Sequence, residues 1–220
     1  MAYLHLKRHV SYGMIAGQAV FLDLQGDRYL ALDATLQADF LALRTGDEPI
    51  RAEGEARDRL LATGLFQQHS LKGRLAPVEV PVRAESLLDE SPARVRWRAV
   101  PRAWTCVRRA RQRIATVPLQ AIVEDIRENR CDTERTGSAA EAEDAARAFL
   151  AARALVPVAR NCLLDSLALL DWLGDQAGPA TLVFGARLDP FGAHCWLQTD
   201  RTLLTDAADT VRTFVPVLAV

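Results

Sequence analysis

The sequence predicts an α+β fold, and three observations carry that prediction. Half of the 220 residues are hydrophobic, enough for a substantial core. Two β-like runs joined by a glycine-containing turn lie near the start and give way to helical periodicity. The C-terminal third carries one helix followed by several short β-like runs, and strands segregated from helices in this way belong to α+β layers.

Residues 1–80 read as a small first domain. Residues 19–24 and 28–33 form a β-hairpin closed by Gln25-Gly26-Asp27. Residues 35–43 follow, with Leu36, Phe40 and Leu43 at helical spacing, and Thr45-Gly46-Asp47 ends that helix. A second helix covers 53–63, with Leu60 and Leu61 apolar and Gly64 at its C-terminal end. His5, His9 and His69 are scattered here in no catalytic grouping. Prolines extend Ala76-Pro77-Val78-Glu79-Val80-Pro81, and an acidic stretch with a second proline follows. Residues 81–93 are therefore expected to be a linker, and 94–220 a second domain.

Residues 94–113 hold eight arginines (94, 96, 98, 102, 108, 109, 111 and 113) and no acid. Trp97, Val100, Trp104 and Val107 recur at helical spacing, which favours an amphipathic helix with a solvated arginine face. A nucleic-acid patch and a docking face for an acidic partner are the competing readings. Residues 117–129 and 139–155 read as two more helices, with Cys131 in the loop between them. In the second, Ala142, Ala145, Phe149 and Ala152 make a stripe of small apolar residues suited to close packing. A further helix starts at Cys162 and runs to Gly174. After the loop Gln176-Ala177-Gly178-Pro179, β-like runs fall at 180–184, 194–198, 203–204 and 213–217.

The formal net charge of −1 points to neither nucleic acid nor a membrane surface. No stretch approaches the roughly 18 apolar residues of a spanning helix, and the charged start is unlike a signal peptide, so a cytoplasmic location is expected. Cysteines 106, 131, 162 and 195 have no CxxC pairing and no metal-ligand spacing with histidine, so free thiols and no metal are expected.

The chemistry concentrates at Cys162. Asn161 is a good N-cap, and a cysteine in the first helical turn gains from the free N–H groups and the helix dipole, which favour a thiolate. His194, the only histidine of the C-terminal two-thirds, sits in a strand-like run. Thiol hydrolysis needs such a nucleophile, a base that becomes an acid, and an acceptor that orients it. His194 and Cys195 point to opposite faces of a strand, so Cys195 is expected to pack away from the site. With Asp200-Arg201-Thr202 as the turn, Asp206 falls opposite Trp196 on the His194 face and Asp209 on the other; a two-residue turn would reverse this parity. The competing reading of Cys162 is a buried cysteine acting only as a small hydrophobe.

Cys162-Leu163-Leu164-Asp165-Ser166-Leu167-Ala168-Leu169-Leu170 and Phe191-Gly192-Ala193-His194-Cys195-Trp196-Leu197, with Asp200 and then Asp206, resemble the B proteins of lasso-peptide biosynthesis. These are leader peptidases of the transglutaminase-like superfamily. Residues 23–33 are similar to the leader-recognition domain of that family and to the pyrroloquinoline-quinone peptide chaperones. The resemblance implies a winged-helix-like hairpin and helix domain ahead of a transglutaminase-like (papain-like) cysteine protease domain. It implies Cys162 as nucleophile, His194 as acid and base, and Asp206 as orienter. The backbone N–H of Cys162 would be one oxyanion donor. Leader removal from a ribosomal precursor peptide would free the core α-amine for a partner, an asparagine-synthetase-like lasso cyclase that uses ATP, while this chain needs no cofactor. The leader would add a strand beside Arg28, Tyr29, Leu30, Ala31 and Leu32, with an apolar anchor at the Leu60 helix. The family leads one to expect a basic residue at position 165, glutamate at 198 and asparagine at 205, where this chain has Asp165, Gln198 and Thr205. Acyl or amide transfer by the same three residues, and a peptide-binding module without chemistry, are the alternatives.

Overall fold

A computed structural model of the chain describes residues 3–44, 54–72, 74–81, 85–90, 93–132 and 137–220. Contacts divide it into two units, Met1–Glu79 with Pro216–Leu218 and Val80–Val215 with Ala219–Val220.

The first unit is β-rich. Its elements are β1 (Tyr3–Leu6), β2 (Val10–Ile15), β3 (Gln18–Asp23), β4 (Arg28–Ala31), α1 (Ala34–Arg44), α2 (Glu55–Ala62) and β5 (Phe66–His69). The expected hairpin is β3 with β4, but β2 precedes it to make the antiparallel order β2-β3-β4, and β1 pairs separately with β5. Short strands such as Tyr-Leu-His-Leu alternate too briefly to be told from loop by periodicity. In the hairpin turn the left-handed residue is Asp27 (φ 47°), not Gly26. Gly26 is needed for closeness: Asp23 Oδ1 accepts from the N–H groups of Gln25 and Gly26, and a Cβ at 26 would lie 2.7 Å from Asp23 Oδ2. Tyr12, Phe21, Phe40 and Phe66 form the aromatic centre of this unit, with Leu4 and Leu60 fully buried around them. The helix stop expected at Thr45-Gly46-Asp47 lies outside the described residues.

The second unit comprises β6 (Glu85–Ser86), α3 (Val100–Thr116), α4 (Leu119–Asp132), α5 (Ala139–Arg153), α6 (Cys162–Leu173), β7 (Thr181–Arg187), β8 (Gly192–Gln198), β9 (Thr202–Leu203), α7 (Ala208–Val211) and the two end residues of β10 (Val215–Ala219). The five-stranded sheet runs β10-β7-β8-β9-β6, with β6 parallel to β9 and the β7–β8 pair antiparallel. The stretch read as a linker thus supplies an edge strand; two residues are too few to leave a pattern in sequence.

Helix α3 begins at Val100, six residues after the arginine block starts, and it buries Ala103, Cys106, Val107 and Ala110. The expected Trp97–Trp104 stripe is wrong: both indoles are exposed, because Trp97 lies in a separate 3-10 turn and small residues let α3 pack closely on α6. The solvated arginine face is present in outline, since Arg94, Arg96, Arg98, Arg108 and Arg111 are exposed. Arg102 is exposed as well, yet it donates to the Trp172 carbonyl and lies over the Trp172 indole ring. Helix α4 extends through Cys131, which had been expected in a loop. In α5, Ala146 rather than Ala145 completes the buried stripe with Ala142, Phe149 and Ala152, and Ser138 with Glu141 forms a capping box.

Candidate active site

The local sequence around Cys162 builds a helix start. Asn161 has extended backbone angles, and its Oδ1 accepts from the N–H groups of Leu163 (3.1 Å) and Leu164 (3.2 Å). Cys162 is then the first helical residue, at the positive end of the α6 dipole, and its own N–H is left out of the cap. The approach to this helix is held by Arg153, buried at the end of α5. Its guanidinium donates to the carbonyls of Val156 (3.2 Å) and Val158 (3.0 Å) and pairs with Asp165 at 2.7 Å. Asp165 stands where a basic residue was expected; the opposite charge is matched by an arginine beside it. Burial raises the Asp165 carboxyl pKa, and Arg153 opposes that rise.

His194 on β8 and Asp206 are brought together, with Nε2 2.9 Å from Oδ1; the contact is an ion pair rather than an aligned hydrogen bond. Asp206 arrives by a different route from the one expected. Gln198 pairs with Leu203 and the Thr199 N–H donates to the Thr202 carbonyl, so the turn has two residues, Asp200 and Arg201, and the parity is reversed. Strand β9 ends at Leu203, and the bend after it swings Asp206 back to His194. Thr205 fixes that bend: its Oγ1 accepts from the Leu197 N–H (2.9 Å) and donates to Asp206 Oδ2 (3.2 Å). From β6, Ser86 Oγ donates to the Asp206 carbonyl at 2.6 Å. Asp209 is paired with Arg212 and is not part of this group.

The imidazole is held from its own strand. Trp196, two residues on, stacks with the His194 ring at 6.2 Å between centroids, and Phe214 lies at 5.1 Å. The indole N–H donates to Gln198 Oε1 (2.8 Å), while Gln198 Nε2 donates to the Pro81 carbonyl (3.1 Å). A glutamate at 198, as the family would have it, could not make the second bond. Gly185 is the β7 partner of His194, and a Cβ there would stand 2.8 Å from the Trp196 ring.

Cys162 is half-buried, and Cys195 is 2% exposed. Strand alternation does turn Cys195 to the other face of β8, but that face is where α6 packs, so its thiol and its backbone N–H both meet the Cys162 sulfur. The expectation that Cys195 lies away from the site is therefore wrong. Hydrogen bonding from the Cys195 thiol, opposed by burial and joined by His194, brings the Cys162 pKa down to about 4. Burial pulls the His194 imidazolium down, but Asp206 and Cys162 outweigh it and lift the pKa to about 9. Contact with Cys162, then burial, pushes the Cys195 thiol well above its usual range. A thiolate beside an imidazolium, backed by a carboxylate, can attack a carbonyl and deliver a proton to a leaving amine. Among the described residues no group of three or more His, Cys, Asp or Glu is arranged to hold a metal ion.

Of the residues expected to bind peptide, Arg28, Tyr29, Leu30 and Ala31 form β4, at the end of its sheet. Leu30 is partly buried, and Leu32 is in the core. Leu60 has no exposed surface, so it holds the unit together and offers no face for a peptide. Sequence reasoning missed Thr205, Gln198, Ser86 and Gly185 as supports of the site. Adjacency to Asp206 and Trp196 was the available signal for the first two; Ser86 and Gly185 had none. No helix is long and apolar enough to cross a membrane among the described residues.

Comparison with curated proteins and with solved structures finds no match. A family model described as the transglutaminase-like superfamily matches residues 103–219, which takes in α6, β7, β8 and the bend that carries Asp206. As that match spans more than half of the sequence, the chain belongs to the transglutaminase-like superfamily.

Proposed function

We propose that this chain is a cysteine peptidase that removes the leader from a ribosomally made lasso-peptide precursor. The observation that carries the reading is the contact series Cys162, His194 and Asp206, with the thiol pKa lowered and the imidazole pKa raised. The Cys162 thiolate attacks the carbonyl of the last leader residue, and the oxyanion faces the Cys162 N–H at the helix start. His194 passes its proton to the core α-amine, the C–N bond breaks, and the leader is left as a thioester on Cys162. A water that gives a proton to His194 then attacks the thioester, releasing the leader carboxylate and restoring the thiolate–imidazolium pair. Asp206 holds the ring and stabilises its charge throughout.

Water is the second reactant, so the chemistry calls for no cofactor. ATP belongs to the partner, an asparagine-synthetase-like cyclase that closes the freed amine into the macrolactam. The leader is assigned to the β4 edge by strand addition, for which Arg28, Tyr29, Leu30 and Ala31 supply the backbone groups. The reaction is assigned to the cytoplasm. Incubation with the precursor peptide and mass measurement of the products tests the proposal. Cutting with the gain of one water, lost in Cys162→Ala while leader binding persists, is the expected result. Cutting by Cys162→Ala would overturn it, and a product joined to an added amine would point instead to acyl transfer.

A further inference from the structure

Cys195 is a second thiol at the site, and the proposed chemistry gives its sulfur no covalent step. It stands in mid-strand on β8, opposite Phe184 of β7, and faces the first turns of α6, where Cys162 and Ser166 are one turn apart. Its thiol is the hydrogen-bonding neighbour of the Cys162 sulfur where α6 packs on β8. The two thiols differ sharply in access. Cys162 is partly open to solvent, while Cys195 is 2% exposed and out of reach of any oxidant. A reactive, reachable thiolate directly against an unreachable thiol is how a nucleophile and a resolving cysteine are arranged.

We propose that Cys195 is a resolving cysteine, which captures oxidised Cys162 as a reversible Cys162–Cys195 disulfide and so protects the nucleophile from irreversible loss. The proposal deepens the peptidase reading and rests on it for the meaning of the lost activity; the disulfide itself is read without substrate. The oxidant is a hydroperoxide. The Cys162 thiolate attacks its terminal oxygen, the O–O bond breaks, and Cys162 becomes a sulfenic acid while an alkoxide, or hydroxide from hydrogen peroxide, departs. Cys195 sulfur then attacks Cys162 sulfur; the S–S bond forms, the S–O bond breaks, and the hydroxyl leaves with the Cys195 proton as water. Sulfenylation removes the negative charge on Cys162, which is the main reason Cys195 holds its proton. Two electrons from a dithiol return both residues to the reduced state.

The experiment treats the full chain with hydrogen peroxide, measures intact mass, maps the peptides, and then adds dithiothreitol. The wild type is expected to lose about 2 Da, mapped to a 162–195 crosslink, and to recover most of its activity on reduction. Cys195→Ala and Cys195→Ser are expected to gain about 32 Da at Cys162 and to recover about tenfold less, each normalised to its own untreated rate. Sulfinic acid at Cys162 in the wild type, a crosslink to Cys106 or Cys131 instead, or recovery in both variants equal to that of the wild type would overturn the proposal. Failure of the peptidase reading would show separately, as cutting by Cys162→Ala, and would leave the mass result standing.

Discussion

Cys162 and His194 carry their charges over a wide pH range because Cys195, joined by His194, favours the thiolate, and Asp206, joined by Cys162, favours the imidazolium. With the thiol at about 4 and the imidazole at about 9, the reactive ion pair exists between those values. A bell-shaped kcat/KM profile is expected: activity rises as pH climbs through the thiol value and falls as His194 loses the proton that the leaving amine needs. Initial rates against pH check this, and an acid limb near 8 would refute it. Thr205 is the next residue to test. Thr205→Val leaves the Leu197 N–H without its acceptor and Asp206 without a donor, costing about 1–3 kcal/mol of stability. A fall of about tenfold in kcat at little changed KM is expected, with recovery in Thr205→Ser; steady-state kinetics and thermal melts measure both. At this scale the sequence was informative where a residue's chemistry is rare. A capped cysteine and a solitary histidine stood out, whereas Gly185 matters only because the Trp196 ring occupies the space above it. Asp206 was chosen for a register that the two-residue turn at Asp200-Arg201 reverses, so the residue was reached through a mistaken geometry.

Among the elements, the long helices were legible because eleven or more residues repeat a 3.6-residue pattern, while β6 is a two-residue strand with no pattern to repeat. Yet β6 is what steadies the acid. Ser86 donates to the Asp206 carbonyl and also accepts from the Leu88 N–H, and Asp89 Oδ2 accepts from Ala208 N–H just beyond the bend. Ser86→Ala removes the bond to the Asp206 carbonyl, a loss of about 1 kcal/mol. The expected outcome is a melting temperature lower by a few degrees and a several-fold drop in kcat, with leader affinity unaltered; an unchanged kcat would show that β6 is mere packing. Helix α3 teaches the opposite lesson. Its apolar residues were visible, but which of them face inward depended on how closely α6 approaches, and small residues won over the indoles.

Over the whole molecule, the strand proposed for leader binding and the proposed catalytic residues belong to different units: β4 to the first, Cys162, His194 and Asp206 to the second. Leu30→Asp on β4 is expected to weaken leader binding at least tenfold in a titration while leaving unchanged the hydrolysis of a short peptide spanning the cut site. Equal loss in both assays would mean that the mutation harms the fold. The change in periodicity along the chain sets a hairpin-bearing first part apart from the rest, while the transglutaminase-like character of the second part comes from the resemblance carried by the segments around Cys162 and His194. The first part reads as ending at residue 80, next to the division at Glu79 and Val80, but the second reads as beginning only at 94, because proline and acidic residues look alike whether they drift in solvent or lie along a sheet.

That boundary has a practical reach. Anyone trimming this protein to its transglutaminase-like part would be drawn to cut near residue 94, after Pro92 and before the arginines. Such a fragment would keep Cys162, His194 and Asp206 and still lack the serine peg under the acid loop, the short strand that shields one sheet margin and the Pro81 carbonyl that steadies Gln198. A viable excision has to start upstream of Pro81.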